Sequence, residues 1–220
     1  MKVVYQGGTG EITEKKSRFI ATVQPVETEE EAVSFINEMK KKYWDARHNC
    51  SAFVLGERQE MTRCSDDGEP AQTAGRPILD VMLGEDIHNA VIVVTRYFGG
   101  TLLGTGGLVR AYQQAAKEGL KNSTVIDRLP GCVLTIGMDY TTLGKVQYIL
   151  AQQEITVTGS DYTDSVSMTV MVPQEKRQKL EAELVEGTNG NVQLTWGETV
   201  EFARIEEKIK IFQKSVDISI

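Results

Sequence analysis

The sequence predicts an α+β protein built as two domains. Residues 89–120 read as a strand, a glycine-rich loop and a helix. Beyond Pro130-Gly131 the order of strands and helices is βαββαβ, the split βαβ of ferredoxin-like domains. The chain of 220 residues is long enough for two such units.

In order along the chain, residues 17–26 (SRFIATVQPV) read as a strand ending at Pro25. Thr28 then caps a helix, and Glu31 completes a capping box. Ala32, Phe35, Ile36, Met39 and Tyr43 share one face of that helix. Glu29–Glu31 at its start and Lys40–Lys42 near its end complement the helix dipole. Residues 50–56 and 60–65 read as a strand pair turned at Gly56-Glu57-Arg58. The segment SDDGEPAQTAGRPIL is rich in turn formers, and a short helix begins within Thr73–Leu83 with Pro77 in its first turn.

Val91-Ile92-Val93-Val94 is a continuous β-branched run, as in a strand buried on both faces. Leu108, Ala111, Tyr112, Ala115 and Gly119 then recur at helical spacing. Pro130-Gly131 marks the expected boundary between a first domain, 1–130, and a second, 131–204. In the second, residues 132–139 form a strand and Leu143, Val146, Ile149 and Leu150 mark a helix. Residues 154–159 are β-prone, and Val166, Met168, Val170 and Val172 alternate as on a half-buried strand. A helix over 175–186 and a strand over 192–202 complete the order. In the tail, 205–220, Ile205, Ile209, Phe212 and Val216 lie near helical spacing and are expected to pack.

Net charge is −7. That argues against nucleic-acid binding over the whole surface but leaves room for a local patch. From Gly131 onward eight Lys/Arg stand against thirteen Asp/Glu, so the acidic excess lies mostly in the second half. No apolar run approaches the ~20 residues of a membrane span, and the N-terminus lacks a signal-peptide core. A cytoplasmic protein is expected. Cys50, Cys64 and Cys132 form no C-x-x-C and are expected as free thiols.

The chemistry concentrates around the glycine loop. No acidic residue occurs between Asp86 and Glu118, whereas Arg96, Arg110 and Lys117 lie inside that window. A strand, Gly99, Gly100, Gly104, Gly106 and Gly107, then a helix would aim backbone N–H groups at an anion. Neither the dinucleotide fingerprint nor the Walker pattern is present. Tyr97 beside Arg96 suits single-stranded nucleic acid, by charge and stacking, and equally suits the core; Phe98 is expected in the core. A second candidate pocket holds His48, Asp66, Asp67 and Glu69. Carboxylates in a glycine-containing loop suit a divalent metal, yet Asp-Asp-Gly-Glu-Pro is foremost a turn sequence. His48 and Cys50 would share one strand face, but neighbours there stand ~6–7 Å apart, too far for a direct nucleophile–base bond. No catalytic residue set, metal or cofactor is expected.

Three segments read together, YWDARHNCSAFVLG, RCSDDGEPAQTAGRPIL and VIVVTRYFGGTLLGTGGLVRAY, strongly resemble the IMPACT family, in particular its bacterial YigZ-like members. The resemblance covers about Ser17 to Leu120, and the remainder resembles the small C-terminal domain of the bacterial members. Gln72 departs from the pattern, where a glycine is usual. The resemblance implies an N-terminal α/β sandwich like the second domain of ribosomal protein S5 and domain IV of elongation factor G, followed by a ferredoxin-like domain. Eukaryotic members bind an activator of the general-control kinase, so a translation-linked role is implied.

The expected function is a non-enzymatic regulator associated with translation, with RNA or the ribosome as partner through Arg96, Tyr97, the loop glycines and Arg110. A hydrolase of a phosphorylated or peptide substrate, using His48 and Asp66 or Asp67, is the alternative. A protein-interaction module using the acidic second half is the third.

Overall fold

A computed structural model describes residues 1–205 and 208–212. The chain divides into two compact units, Met1–Asp127 and Arg128–Ile220. Pro130 and Gly131 are no linker. They lie within the first strand of the second unit, paired with Glu201 and Val200.

The first unit runs β1 (Lys2–Gln6), β2 (Thr9–Glu14), β3 (Ser17–Pro25), α1 (Glu29–Lys42), β4 (His48–Leu55), β5 (Met61–Ser65), α2 (Gly75–Gly84), β6 (Ile87–His88), β7 (Ala90–Tyr97), α3 (Thr105–Lys121) and β8 (Thr124–Asp127). Its main sheet has the order β2-β3-β7-β4-β5, antiparallel throughout. The β-branched run occupies the central strand, which explains why it is apolar on both faces. Val91 and Val93 pack with Ala32 and Met39 of α1. Ala90, Ile92 and Val94 pack on the other face with Ile78 of α2 and Ala111, Tyr112 and Ala115 of α3. A three-stranded sheet, β6-β1-β8, completes the unit.

Thr28 accepts from the Glu31 N–H at 3.2 Å. The Glu31 carboxylate, however, accepts from the Glu27 N–H rather than the cap's own. The chain turns over residues 43–46, and the strand begins at His48.

The second unit runs β9 (Leu129–Met138), α4 (Tyr140–Gln152), β10 (Thr156–Tyr162), β11 (Val166–Pro173), a short 3₁₀ turn, α5 (Arg177–Gly187), β12 (Gln193–Ile205) and β13 (Lys208–Phe212). Its sheet order, β10-β11-β9-β12-β13, contains the ferredoxin-like arrangement with β13 added at one edge. Leu134, Ile136, Val170, Leu180 and Leu184 pack between sheet and helices. Ile209 and Phe212, read from their spacing as part of a packed tail, belong to β13, and Val216 lies outside the described residues.

All three cysteines are free, with Cys50 and Cys132 buried and Cys64 exposed. Thiol titration is expected to find one group in the native protein and three after denaturation. Three native groups would contradict this burial.

Candidate functional site

Two features named from the sequence, the cationic loop and the His48–Glu69 pocket, meet at one end of β7. Arg96 lies opposite His48 on β4 and Phe19 on β3. By period two it shares the face of Ile92 and Val94, beneath α2 and α3. It is only 7 % exposed. Its Nη1 donates to Glu69 Oε1 at 2.6 Å, and the Tyr112 hydroxyl donates to the same oxygen at 2.8 Å. Glu69 is itself buried. The charge of Arg96 is therefore answered beneath the surface by a residue 27 positions earlier, so the residue does not stand on an open cationic face. Phe19 and Phe98 flank the guanidinium at 5.5 and 5.6 Å from their ring centroids. The Phe19 ring also meets Tyr112 edge-on.

The segment from Asp66 to Gly75 is held by its own carboxylates. Asp66 Oδ1 accepts from the N–H groups of Ala74 and Gly75 at the start of α2, and Oδ2 accepts from Gln72. Asp66 thus caps α2 across a loop. Asp67 accepts from Lys40 Nζ at 2.6 Å and from the Asn49 N–H at 2.7 Å. His48 Nδ1 donates to the Asp67 carbonyl at 2.8 Å, which leaves the proton on that nitrogen. The Cys50 thiol donates to the Asp66 carbonyl at 3.0 Å, with the Tyr112 hydroxyl 3.3 Å away. Burial first, then the nearby Glu69, Asp67 and Asp66, pushes the Cys50 thiol well up, away from the reactive thiolate. Among the described residues no cluster of three or more His, Cys, Asp or Glu is placed to hold a metal.

Gln72 has φ of +62°, the left-handed region that glycine enters without strain. Gln72→Gly is expected to be neutral or stabilising by up to about 1 kcal/mol, because relief of strain offsets the added freedom of the unfolded chain. A loss above that size in a urea titration would contradict it.

The loop between β7 and α3 is mostly open. Phe98 is 52 % exposed, not in the core, and Leu102 of the same loop is exposed as well. Tyr97 is half-buried and donates to Asp45. Gly99 packs on the backbone at Lys16 and donates to Ser17 Oγ, so its role is close approach. Gly107 lies against Leu103, whereas Gly100 and Gly104 face open space. Gly104 precedes α3 at φ +69°, with no side-chain cap and no acidic residue in the first turn. Arg110 is exposed, reaches back toward Gly106, and has no carboxylate partner among the described residues. It lines a groove of about 280 Å³ with Ile12, Glu14 and Gln114. Lys15 and Lys16 sit exposed in the adjoining β2–β3 turn and pair with no carboxylate among the described residues. They were missed in the sequence, where KK between two strands is an ordinary turn. A cleft of about 520 Å³ lies elsewhere, beside Lys2, Ile87 and Leu120. Its lysines and carboxylates balance.

Comparison with known proteins agrees with both units. The Impact N-terminal domain matches residues 15–120, and a domain of unknown function, DUF1949, matches residues 136–191. IMPACT family member YvyE of Bacillus subtilis is 38 % identical over 207 residues, covering 94 % of this chain and 95 % of that one. IMPACT family member YigZ of Escherichia coli is 36 % identical over 182 residues, covering 82 % and 89 %. A crystal structure of a hypothetical protein aligns with TM-score 0.56 and 34 % identity, over 90 % of this chain and 97 % of that one.

Proposed function

Because the chain belongs to the IMPACT family, we propose that it is a non-enzymatic regulator associated with translation, binding RNA or the ribosome through the open rim around Gly100–Gly106. The observation that carries this reading is the uncapped N-terminus of the 17-residue α3, beside three cations without carboxylate partners, Lys15, Lys16 and Arg110. Free N–H groups and positive charge suit phosphates. The exposed ring of Phe98 offers a stacking surface. The S5-like sandwich, shared through the family resemblance with a ribosomal protein and an elongation factor, supports the same direction. Arg96 acts from within, tying β7 to the Glu69 loop.

Co-sedimentation with ribosomes at low and high salt tests the reading. The protein is expected in the ribosomal pellet at low salt and in the supernatant as salt rises, because phosphate contacts release counterions. A protein that stays in the supernatant at every salt concentration contradicts it.

A further inference from the structure

Two exposed aromatic rings stand at one end of the main sheet. Lys15 and Lys16 turn β2 into β3, β7 ends at Tyr97 just before Phe98, and Trp44–Arg47 lead into β4. The register brings these three stretches to the same end, with Arg18 opposite Tyr97 and Arg96 opposite His48. The strand order β2-β3-β7-β4 sets their sequence across it: Lys15 and Lys16, then Phe98, then Trp44 and Arg47. Three strand spacings make this row ~14 Å wide.

Trp44 is 82 % exposed, so the core does not account for it. Its turn is nevertheless fixed. The Tyr43 N–H donates to the Met39 carbonyl and the Ala46 N–H to the Tyr43 carbonyl, both at 2.9 Å. The next residue, Asp45, accepts from the Tyr97 hydroxyl at 2.8 Å, which ties the turn to the end of β7. Phe98 rests over the Arg96 guanidinium and keeps half of its surface open. Lys15, Lys16 and Arg47 are exposed and pair with no carboxylate among the described residues.

We infer that Trp44 and Phe98 are stacking platforms for unpaired bases, so that the rim takes single-stranded rather than duplex RNA. This rests on the RNA-binding reading and names the form of RNA the rim accepts. An aromatic ring stacks on the face of a base, and in a duplex those faces are covered by the neighbouring pairs. Cations on both sides of the ring pair match the phosphates that alternate with bases along one strand. A membrane-docking surface would instead gather its apolar side chains into one patch.

Titrating the full chain at low salt with a short RNA strand of mixed sequence, and with its duplex of equal length, tests the platforms. The single strand is expected to bind about tenfold tighter, the order of one stacked base, and to quench the fluorescence of Trp44. Trp44→Ala and Phe98→Ala are each expected to weaken the single strand about tenfold and leave the duplex unchanged. Trp44→Phe keeps a ring and is expected to retain most of the affinity while losing the quenching. Both side chains are exposed, so wild-type unfolding midpoints are expected for all three variants. A duplex bound as tightly as the single strand, or a single-strand affinity untouched by both alanine variants, overturns the platforms and leaves the phosphate rim standing. Failure of either RNA to bind overturns rim and platforms together. Trp44-dependent binding to phosphatidylglycerol vesicles, with no preference for single-stranded RNA, assigns the rings to a membrane and overturns the inference.

Discussion

Replacing Glu69 with alanine is expected to cost about 3–5 kcal/mol of folding stability, the usual penalty for leaving a buried charge without its partner. Arg96 would keep its charge beneath α2 and α3, and Tyr112 would lose the acceptor of its hydroxyl. The double variant Glu69→Leu/Arg96→Met is expected to recover most of the loss, because apolar groups of similar volume commonly replace buried ion pairs at little cost. Urea titration of wild type, both single variants and the double variant measures the coupling. A loss for Glu69→Ala below about 1 kcal/mol, the worth of a surface pair, would mean that water reaches the site.

Gly99→Ala is expected to be the most damaging change within the loop. Its Cβ would overlap the backbone carbonyl of Lys16 and the backbone nitrogen of Ser17. Backbone cannot give way as a flexible side chain can, so the cost should reach the upper end of the ~1–3 kcal/mol seen for overpacking. The β2–β3 turn carrying Lys15 and Lys16 would shift with it. Gly106→Ala is the control, since a Cβ there meets only the tip of Arg110 at 3.7 Å. Alanine also favours helix over glycine by about 0.5–1 kcal/mol, so the control is expected to be neutral or slightly stabilising. Equal effects of the two substitutions would show that the loop accommodates a side chain at Gly99.

These two sites show where the sequence could be read and where it could not. The strands and helices of the core were legible because their apolar periods are regular, as at Val91–Val94 and at Ala111, Tyr112 and Ala115. The short strands β1, β2 and β8 carry too few buried residues for a period to emerge. Asp66 looked like a turn former, but it caps a helix that begins nine residues later, beyond any local capping pattern. Arg96 was counted as local surface charge because its neighbours in sequence are neutral. Its counter-ion, Glu69, belongs to a loop that only the folding of β4, β5 and α2 brings beneath it. The glycines, alike in sequence, divide by φ and by what a Cβ would meet, neither of which composition reveals. Pro130, a turn signal in sequence, is the second residue of β9, where its missing N–H is tolerated near the strand end.

The most direct test of the rim is the affinity of single-stranded RNA across a salt series, for wild type and for Lys15→Ala/Lys16→Ala/Arg110→Ala. All three residues are exposed, so the variant is expected to unfold at the wild-type temperature. With three phosphate contacts removed, the slope of log K against log salt should be shallower by about 2, and binding should weaken for all sequences alike. A folded variant with wild-type affinity and slope would contradict the assignment of this rim to RNA.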